Sequence, residues 1–322
     1  MRKFHILLLA LAASLACLQS CSETPETLSR AERIAREIQD PNSDYVVVIC
    51  HRGDWRNFPE NSNLAIENII KFGADMMELD LKMTKDSVLV LCHDDTVIRT
   101  TNFRSVFRNE PGKSAMVSDL TLEEIRRLSL KRAQGAIIDT LRMPTLREAL
   151  ECCKGRICVN VDQGYEYYDQ VLALTEELGV TDQILIKGKK PIEVVAAHEA
   201  KYDHNMMYMP IVDIQQPRGI ELFNSYLEQG VVPLAYEVCW QRDNGDFEEA
   251  CRKIIAQGSK VWVNTLWPTL CGGHGNDDDA AYLSDDPGKV YGKYLENGVS
   301  MIQTDRPELL VRWLEKQGRH TL

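Results

Sequence analysis

The hydrophobic pattern after residue 45 alternates short apolar stretches with segments of helical periodicity. Polar or turn-forming residues bound each apolar stretch, which is typical of a buried strand. The predicted strands are 45–50, 76–81, 88–92, 157–161, 184–186, 206–212, 232–238, 261–266 and 300–303. The clearest predicted helices between them are 64–72, 166–178, 192–200, 247–256 and 307–316. Strands that alternate with helices in this way predict parallel βαβ units.

One pair of strands departs from this alternation. Only a few residues around Lys85-Asp86-Ser87 separate the second strand from the third, whereas a parallel crossover needs a dozen or more residues. These two strands therefore form an antiparallel hairpin, and eight strands remain, the number in a closed barrel. We predict an α/β fold, a (β/α)8 TIM barrel over residues 45–322. A small insertion at about 94–145 contains a predicted helix at 122–131.

The first twenty residues have the pattern of an export signal. Arg2 and Lys3 precede an apolar run at 6–18, which is too short for a membrane span of roughly 20 residues. The sequence Leu18-Gln19-Ser20-Cys21 resembles a bacterial lipobox, in which the cysteine becomes lipidated. The alternative is an ordinary cleaved signal peptide with an incidental cysteine.

These features predict a signal peptide at 1–20 and a lipid anchor with a tether at 21–44, attached at Cys21. The protein would then be exported and held at a bacterial membrane, on the periplasmic side or at the cell surface. Contact with the membrane would be made through the lipid anchor only.

The charge balance is acidic, with 37 Lys and Arg against 48 Asp and Glu and a formal net charge of −11. Without residues 1–20, which carry two positive charges, the net charge is −11 − 2 = −13. This balance argues against nucleic acid as a partner, because neutralising its phosphates needs a basic face. One local cationic pocket could still bind a small phosphorylated molecule.

Reactive side chains recur where the predicted strands end. In a (β/α)8 barrel the active site lies at the carboxyl ends of the strands, so these side chains should meet at one mouth. They are His51, Arg52, Glu78, Asp80, His93, Asp162 and Lys187, and the later strands end near Glu237 and Asn264.

Glu78 and Asp80 are two residues apart on one predicted strand, so their side chains point to the same face. Two carboxylates in a mouth of low dielectric repel each other unless one is protonated or a cation lies between them. Hard oxygen ligands suit Ca²⁺ or Mg²⁺. The alternative is a structural ion pair of one carboxylate with Arg52 or Lys187.

His51 and His93 are suited to act as a general acid and a general base near neutral pH. Arg52 adds a planar, permanently charged group that matches phosphate. A single histidine after a strand more often has a structural role, but two of them near paired carboxylates favour a catalytic one.

A set of short motifs carries a family resemblance. The specific ones are His51-Arg52-Gly53, Pro59-Glu60-Asn61-Ser62, Gly73-Ala74-Asp75, Glu78-Leu79-Asp80, Thr84-Lys85-Asp86, His93-Asp94 and Arg99-Thr100-Thr101; the weaker ones are Pro144-Thr145-Leu146 and Thr304-Asp305-Arg306-Pro307. Together they resemble the signature of the glycerophosphodiester phosphodiesterase family over essentially residues 45–317. The resemblance implies a TIM barrel with a small insertion, a divalent cation, and cleavage of glycerophosphodiesters to glycerol phosphate and an alcohol.

The resemblance also implies residue roles. His51 and His93 would be the acid–base pair, Glu78 and Asp80 would bind the metal, and Arg52 would hold the phosphate. In the implied route, one histidine deprotonates a neighbouring hydroxyl of the substrate, which attacks phosphorus. The other histidine protonates the leaving alkoxide, and water then opens the cyclic phosphate.

The chain departs from the family pattern on the strand after the insertion. The family usually has Glu-x-Lys there, and its glutamate is the third metal ligand, but this chain has Asp162-Gln163-Gly164. We predict that Asp162 is the third metal ligand. Because the family's lysine is absent, one positive charge that would face the substrate phosphate is missing. Lys187, at the end of the next strand, is the candidate to supply it.

Other functions remain open at this stage. The same machinery could act on a lysophospholipid, a glycerophosphoinositol or a surface-polymer phosphodiester. A non-catalytic lipoprotein that binds phosphorylated ligands is the alternative from another class. In each case the predicted partner is a small-molecule phosphodiester or a related phosphorylated ligand.

Two further features have mainly structural interpretations. The acidic stretch at 276–286 lacks the glycine and the glutamate of a calcium loop, and it predicts a solvated loop with a helix start. Trp240, Trp262, Trp267 and Tyr236 could form a wall for a substrate head group, but core packing is favoured for each of them.

Overall fold

The computed structural model describes residues 28–132, 135–162, 164–230, 232–267 and 275–322. The predicted signal peptide at 1–20 and Cys21 lie outside these residues. The strands are β1 Val47–Cys50, β2 Met76–Met83, β3 Leu89–Leu91, β4 Leu130–Lys131, β5 Ile137–Ile138, β6 Cys158–Asp162, β7 Ile184–Gly188, β8 Met207–Asp213, β9 Ala235–Cys239, β10 Lys260–Asn264 and β11 Met301–Thr304. The α-helices are α1 Arg30–Gln39, α2 Asn63–Lys71, α3 Phe103–Val106, α4 Leu122–Arg126, α5 Leu146–Cys153, α6 Tyr168–Leu178, α7 Ile192–Glu199, α8 Pro217–Glu228, α9 Asp246–Ala256, α10 Asp277–Leu283, α11 Gly288–Glu296 and α12 Pro307–Lys316. Among the described residues, no helix has both the length and the apolar character that a bilayer crossing requires.

Eight parallel strands close into a barrel. The order is β1, β2, β6, β7, β8, β9, β10 and β11, and β1 pairs with both β2 and β11. β3 pairs antiparallel with the end of β2, with Leu81 opposite Leu91. The predicted (β/α)8 barrel and the predicted hairpin are therefore confirmed.

The interior of the barrel has an apolar layer at the amino ends of the strands. Because side chains alternate along a strand, one set of residues from each strand meets inside. This set includes Ile49, Met76, Cys158, Leu185, Met209, Trp262 and Met301, all of them buried. The layer excludes water beneath the mouth and gives the residues above it a rigid base.

Helix α1 covers this apolar end of the barrel. Ser29 begins the helix with a capping box, in which Ser29 and Glu32 each accept a hydrogen bond from the other's backbone N–H. Ile34 and Ile38, on one face of α1, are buried in the same cluster as the barrel interior. The range 21–44, for which a tether is predicted, thus contains a helix that is part of the folded domain.

Apart from α3 and α4, which belong to the insertion, the remaining helices surround the barrel and bury their apolar faces against the outer side of the strands. Ile66 and Ile69 of α2 and Leu310 and Leu314 of α12 are fully buried in this layer. Each such side chain contributes about 1.5–3 kcal/mol when it leaves water. The helices therefore fix the strands, and the strands fix the mouth.

The insertion after β3 forms a small cluster of its own around Phe103, Leu120, Ile125 and Leu128. The predicted helix at 122–131 is too long, since α4 ends at Arg126 and residues 130–131 form β4. The reason is tertiary, because the backbone N–H groups of residues 130 and 131 donate to the carbonyls of residues 141 and 100 instead of to a preceding helical turn.

Candidate active site

A polar layer lies above the apolar layer, at the carboxyl ends of the strands. The sheet register produces this polar layer, because Glu78 lies opposite Asn160 and Asp80 lies opposite Asp162. A cavity of about 110 Å³ opens at this level. Its lining includes His51, Arg52, Glu78, Asp80, His93, Asp162, Lys187, Glu237, Asn264 and Gln303. The seven site residues predicted from the sequence therefore line one cavity.

Glu78, Asp80 and Asp162 form a cluster of carboxylates. Each offers an oxygen that lies within 4.8 Å of those of the other two. Burial raises the pKa of Glu78 well above its usual value, and the charges of Asp80 and Asp162 raise it further. A divalent cation would relieve this repulsion, and three carboxylate oxygens are the hard ligands that Mg²⁺ and Ca²⁺ prefer. The residues present therefore fit such an ion.

Arg52 lies on a tight turn directly after β1. Its φ of 52° and that of Gly53, 76°, are both in the left-handed region. A Cβ on Gly53 would lie 2.9 Å from that of Ala65, so the turn needs glycine at this position. The turn aims the Arg52 backbone N–H at Glu78 Oε2, 2.8 Å away. The phosphate-binding candidate and a metal-ligand candidate are thus fixed to each other.

The Arg52 side chain lies between two carboxylates and the cavity. Its guanidinium donates to Glu60 at 3.2 Å, and its Nε lies 3.5 Å from Asp80 Oδ2. That buried Nε has no hydrogen-bond partner among the described residues. Arg52 also lines the cavity, so its guanidinium can meet an anionic ligand there.

His51 is held by a carboxylate from the far end of the chain. Asp305 Oδ1 lies 2.8 Å from His51 Nδ1 and also accepts a hydrogen bond of 2.6 Å from Trp55 Nε1. An acceptor on Nδ1 places the proton there in the neutral ring, so Nε2 is the nitrogen available to a ligand in the cavity. The ring centre of Trp267 lies 5.4 Å from that of His51.

Asp278 holds the loop that carries Asp305. Its Oδ2 accepts a 2.6 Å hydrogen bond from the Asp305 backbone N–H, and its Oδ1 accepts from Thr265, Thr304 and Tyr291. Asp278 is buried, and its neighbour Asp277 is buried as well. The expectation of a solvated loop at 276–286 is therefore wrong at these two residues, because tertiary hydrogen-bond donors surround them.

Burial raises the pKa of Asp278 to about 7, although hydrogen bonds from Thr304 and the Asp305 backbone oppose the rise. Folded Asp278 therefore keeps its proton between pH 4 and 7, where the unfolded chain loses it. The native state binds more protons, so this group makes the free energy of unfolding fall as the pH rises through that window.

We expect Asp278→Asn, which cannot ionise, to remove this contribution. Relative to the wild type, the variant should gain stability between pH 4 and 7 and show no further relative change above pH 7. Urea unfolding of both proteins at several pH values measures the difference, with Asp279→Asn as the matched control on the adjacent, half-exposed residue. A stability difference that is constant with pH would contradict the expectation.

His93 also lines the cavity and is linked to Arg52 through a series of ion pairs. His93 Nδ1 lies 2.8 Å from Asp94, and Arg99 donates to Asp94 at 2.7 Å and to Glu60 at 2.9 Å. Glu60 in turn pairs with Arg52. The hydrogen bonds from Arg99 hold the pKa of Asp94 well below its usual value. Both histidines thus have a carboxylate on Nδ1, but His93 is the more exposed of the two.

Lys187 is buried between carboxylates. Its Nζ lies 3.0 Å from Asp162 and 2.8 Å from Glu237, and 4.7 Å from the ring centre of Trp262. Burial alone would lower the pKa of Lys187, but the charges of Asp162 and Glu237 outweigh it and raise the pKa. The predicted contact of Lys187 with a substrate phosphate stays a prediction.

Gly164 has no room for the lysine that the family pattern has there. A Cβ built on Gly164 would lie 2.3 Å from a methyl carbon of Val161. Lys187 lies on the neighbouring strand and lines the same cavity. It therefore brings an ammonium group to the site by a different route.

Core packing was favoured for each of the four aromatic residues, and three of them are core residues. Trp240, Trp262 and Tyr236 are buried in the core. Trp267 is only partly buried and packs near His51, so it is the one of this group that adds an apolar face beside a predicted catalytic residue.

Four residues around the histidines have no individual role in the sequence-based predictions, namely Glu60, Asp94, Arg99 and Asp305. All four lie inside the quoted motifs, so the motifs themselves were the available signal. The sequence could not show which charged side chains meet, because the Asp305–His51 contact joins residues 254 positions apart.

The family model for the glycerophosphoryl diester phosphodiesterase family matches residues 51–220, more than half of the chain. The chain belongs to this family. A second model, described only as a domain of unknown function, matches residues 208–314. The glycerophosphodiester phosphodiesterase match thus contains both histidines, the three carboxylates and Lys187, whereas Asp278 and Asp305 lie under the second model.

Named relatives support this membership. The chain is 43% identical over 149 residues to the glycerophosphodiester phosphodiesterase of Caldanaerobacter subterraneus subsp. tengcongensis, which is 44% of this chain and 57% of that protein. It is 39% identical over 132 residues to glycerophosphodiester phosphodiesterase 1 of Rattus norvegicus, 40% of this chain and 35% of that protein. The matches thus span about half or less of these relatives' own lengths.

Solved structures share the fold. A glycerophosphoryl diester phosphodiesterase from Parabacteroides distasonis has a TM-score of 0.69 and 23% identity, covering 90% of this chain and 93% of that one. A phosphodiesterase from Oleispira antarctica, in complex with the product sn-glycerol-3-phosphate, has a TM-score of 0.58 and 17% identity, covering 84% and 96% of the two chains.

Proposed function

We propose that the protein is a metal-dependent phosphodiesterase that hydrolyses glycerophosphodiesters to glycerol phosphate and an alcohol. One observation carries the proposal. His51 and His93, each with a carboxylate on Nδ1, line the same cavity as a cluster of three carboxylates and Arg52, whose Nε has no hydrogen-bond partner among the described residues.

Glu78, Asp80 and Asp162 would hold the Mg²⁺ or Ca²⁺ ion. When bound, the ion supplies positive charge that polarises the phosphoryl oxygens of the substrate. Arg52 binds the phosphate, because its permanently charged, planar guanidinium lines the cavity and its backbone is fixed by Glu78.

The histidines move the protons. One of them removes the proton from the substrate hydroxyl next to the phosphate, and that oxygen attacks phosphorus. The other gives a proton to the leaving alkoxide, and the two roles reverse when water opens the cyclic phosphate. Asp305 and Asp94 stabilise the protonated rings and keep Nε2 of each ring for the substrate.

A non-catalytic role as a binder of phosphorylated ligands has lost its main support. That alternative rested on the lysine missing from position 164, and Lys187 carries an ammonium group into the same cavity. No observation on the described residues favours binding without turnover.

The test is a panel of glycerophosphodiesters, lysophospholipids and surface-polymer phosphodiesters, assayed with Mg²⁺, with Ca²⁺ and with EDTA. We expect release of glycerol phosphate from at least one glycerophosphodiester, loss of turnover in EDTA, and recovery when the divalent ion is restored. Ligand binding without turnover under every condition would overturn the proposal. Turnover that EDTA does not change would overturn its metal dependence.

We further propose that Lys187 contacts the substrate phosphate. Lys187→Met should raise KM or lower turnover, and it should also lower the free energy of unfolding by roughly 3–5 kcal/mol, because it removes the cation that pairs with the buried Glu237 carboxylate. The double variant Lys187→Met/Glu237→Gln should recover part of the stability without the activity. The control Lys190→Met breaks only a more exposed pair with Glu166 and should change neither strongly. Activity that recovers together with stability would assign Lys187 a structural role only.

The proposed location is an exported, lipid-anchored one, with Cys21 as the lipidated residue. We expect Cys21→Ala to move the protein from the membrane fraction to the soluble fraction, because Cys21 is the residue that would carry the acyl chains. More than one such chain is needed for a stable anchor. Fractionation of cells that express each form measures this, with Cys17→Ala as the control. Membrane association that is unchanged in Cys21→Ala would contradict the anchor.

A further inference from the structure

Lys187 lies between the carboxylate cluster and one further carboxylate. It is on β7, which pairs with β6, the strand that ends in Asp162. Its Nζ lies 3.0 Å from Asp162 Oδ1 and 2.8 Å from Glu237 Oε2. Asp162 also offers an oxygen within 4.8 Å of those of Glu78 and Asp80. Asp162 therefore belongs both to the candidate metal site and to an ion pair with Lys187.

Glu237 is fixed in the interior of the barrel. Asn264 Nδ2 donates to Glu237 Oε1 at 2.9 Å, and Asn264 Oδ1 accepts from Trp262 Nε1 at 2.8 Å. Trp262 is fully buried in the apolar layer, and its ring centre lies 4.7 Å from Lys187 Nζ. Residues of β10 thus hold Glu237 in place, and Glu237 in turn holds the ammonium group of Lys187.

The two carboxylates attract Lys187 from different directions. In the strand order of the barrel, Asp162 on β6 lies on one side of β7, and Glu237 on β9 lies on the other. The side chain of Asp162 is 22% exposed and that of Glu237 is 4% exposed. Water therefore screens the contact with Asp162 more than the contact with Glu237.

The ammonium group of Lys187 and a divalent ion would have the same effect on the cluster. Three carboxylates close together repel one another, and a nearby positive charge relieves that repulsion. Lys187 supplies such a charge 3.0 Å from one of the three. The same charge opposes the approach of a second cation to Asp162.

We propose that Lys187 is a resident counter-ion of the carboxylate cluster that competes with the divalent ion, and that Glu237 is the positioning residue that draws the ammonium group away from Asp162 and so sets the affinity for the ion. The inference rests on the metal site of the proposed function and goes beyond it, because neither residue is a ligand of the ion. Lys187 keeps the three carboxylates together before the ion binds.

The experiment is calorimetric titration of Mg²⁺ and of Ca²⁺ at pH 8 into protein freed of metal with EDTA. Glu237→Gln should bind each ion at least ~5-fold more weakly than the wild type, the low end of a typical coupling between two sites, because Lys187 then has Asp162 as its remaining carboxylate partner. Lys187→Met/Glu237→Gln should bind each ion more tightly than the wild type, because it loses the positive charge beside Asp162 and leaves no unpaired charge at position 237. Thermal unfolding in EDTA checks that both variants fold.

The matched control is Lys190→Met/Glu166→Gln, which removes an exposed pair of the same two residue types. Neither residue lines the catalytic cavity. Because water and salt screen an exposed pair, this control should change the affinity for either ion by less than about 2-fold.

The outcomes separate this inference from the proposed function. Equal affinities in the wild type and both variants, or weaker binding in both variants, would overturn the inference and leave Lys187 and Glu237 as a structural pair, whether or not the wild type hydrolyses a phosphodiester. The expected order of affinities without hydrolysis of any phosphodiester would support the inference and overturn the function. If the wild type bound no ion, binding by Lys187→Met/Glu237→Gln would support the competition, and no binding by either protein would overturn it together with the proposed metal site.

Discussion

Alanine at position 51 is expected to lower the turnover of a glycerophosphodiester by at least ~10²-fold, the low end for loss of a positioned general acid or base. Asp305→Ala should have a similar effect although Asp305 is not among the residues that line the catalytic cavity, because it holds His51 Nδ1 at 2.8 Å. Steady-state kinetics should show the loss in kcat rather than in KM, since the proposed phosphate contacts are those of Arg52 and Lys187.

His51 and Asp305 should behave as one unit. If Asp305 acts only through His51, the double variant His51→Ala/Asp305→Ala should be no slower than the slower single variant. Asp305→Asn separates two contributions, because its amide oxygen can still accept from His51 and Trp55 while the negative charge is lost. We expect Asp305→Asn to be faster than Asp305→Ala but well below the wild type.

Two variants serve as controls for this series, one close to Asp305 in the sequence and one far from it. Asp279→Asn removes a half-exposed carboxylate that pairs with Arg56 and Arg306, and His204→Ala removes an exposed histidine that pairs with Asp182. Neither should change kcat by more than about 2-fold. Additive losses in the double variant, or near-full activity of either alanine variant at 51 or 305, would contradict the coupled role.

His93 is also expected to act through a carboxylate partner, but that partner is held by different residues from those around His51. Its carboxylate partner, Asp94, is fixed by Arg99, which also holds Glu60 and through it Arg52. Loss of His93 should therefore affect kcat, whereas loss of Glu60 should affect kcat and KM together, because it releases both Arg99, which holds Asp94, and Arg52, the proposed phosphate ligand.

The sequence was sufficient for the part of the site that depends on strand ends. Glu78 and Asp80 share a face because they are two residues apart on one strand, and Asp162 joins them because β6 pairs beside β2 in the expected register. The barrel itself follows from the alternation of strands and helices, with the hairpin required by its short connection.

The sequence was insufficient where long-range contacts decide the structure. Asp278 stands in an acidic stretch that looks solvated, and donors that are distant in sequence make it a buried acceptor, namely Thr265, Tyr291, Thr304 and the Asp305 backbone. The amphipathic pattern of α1 was visible at 30–39, but nothing local shows that Ile34 and Ile38 meet the interior residues of the barrel. The strands β4 and β5, of two residues each, are too short to leave a periodic pattern.

The second large effect concerns the carboxylate cluster, where function and stability should change in opposite directions. Glu78 is buried, and the carboxylates of Asp80 and Asp162 each bring an oxygen within 4.8 Å of its own. Burial and those two charges raise the pKa of Glu78. Glu78→Gln keeps an oxygen for the Arg52 backbone N–H and removes one of the repelling charges. In EDTA at pH 8 we expect the variant to be more stable than the wild type by at least ~1 kcal/mol, since a tenfold change in a protonation equilibrium corresponds to about 1.36 kcal/mol.

With a divalent ion the order should reverse. The wild type should gain stability with increasing Mg²⁺ or Ca²⁺, because an ion that binds only the folded state stabilises it, whereas Glu78→Gln should gain little and should lose turnover by at least ~10²-fold. Thermal unfolding in EDTA and in each ion, with calorimetric titration of the ion, measures both parts. The matched control is Glu67→Gln, a more exposed glutamate paired with Arg156, which should lower stability slightly and equally in EDTA and in metal. If Glu78→Gln bound the ion as tightly as the wild type, the three carboxylates would not be its ligands. If it were less stable than the wild type in EDTA, Glu78 would be held mainly by its hydrogen bond to Arg52 rather than strained by its neighbours.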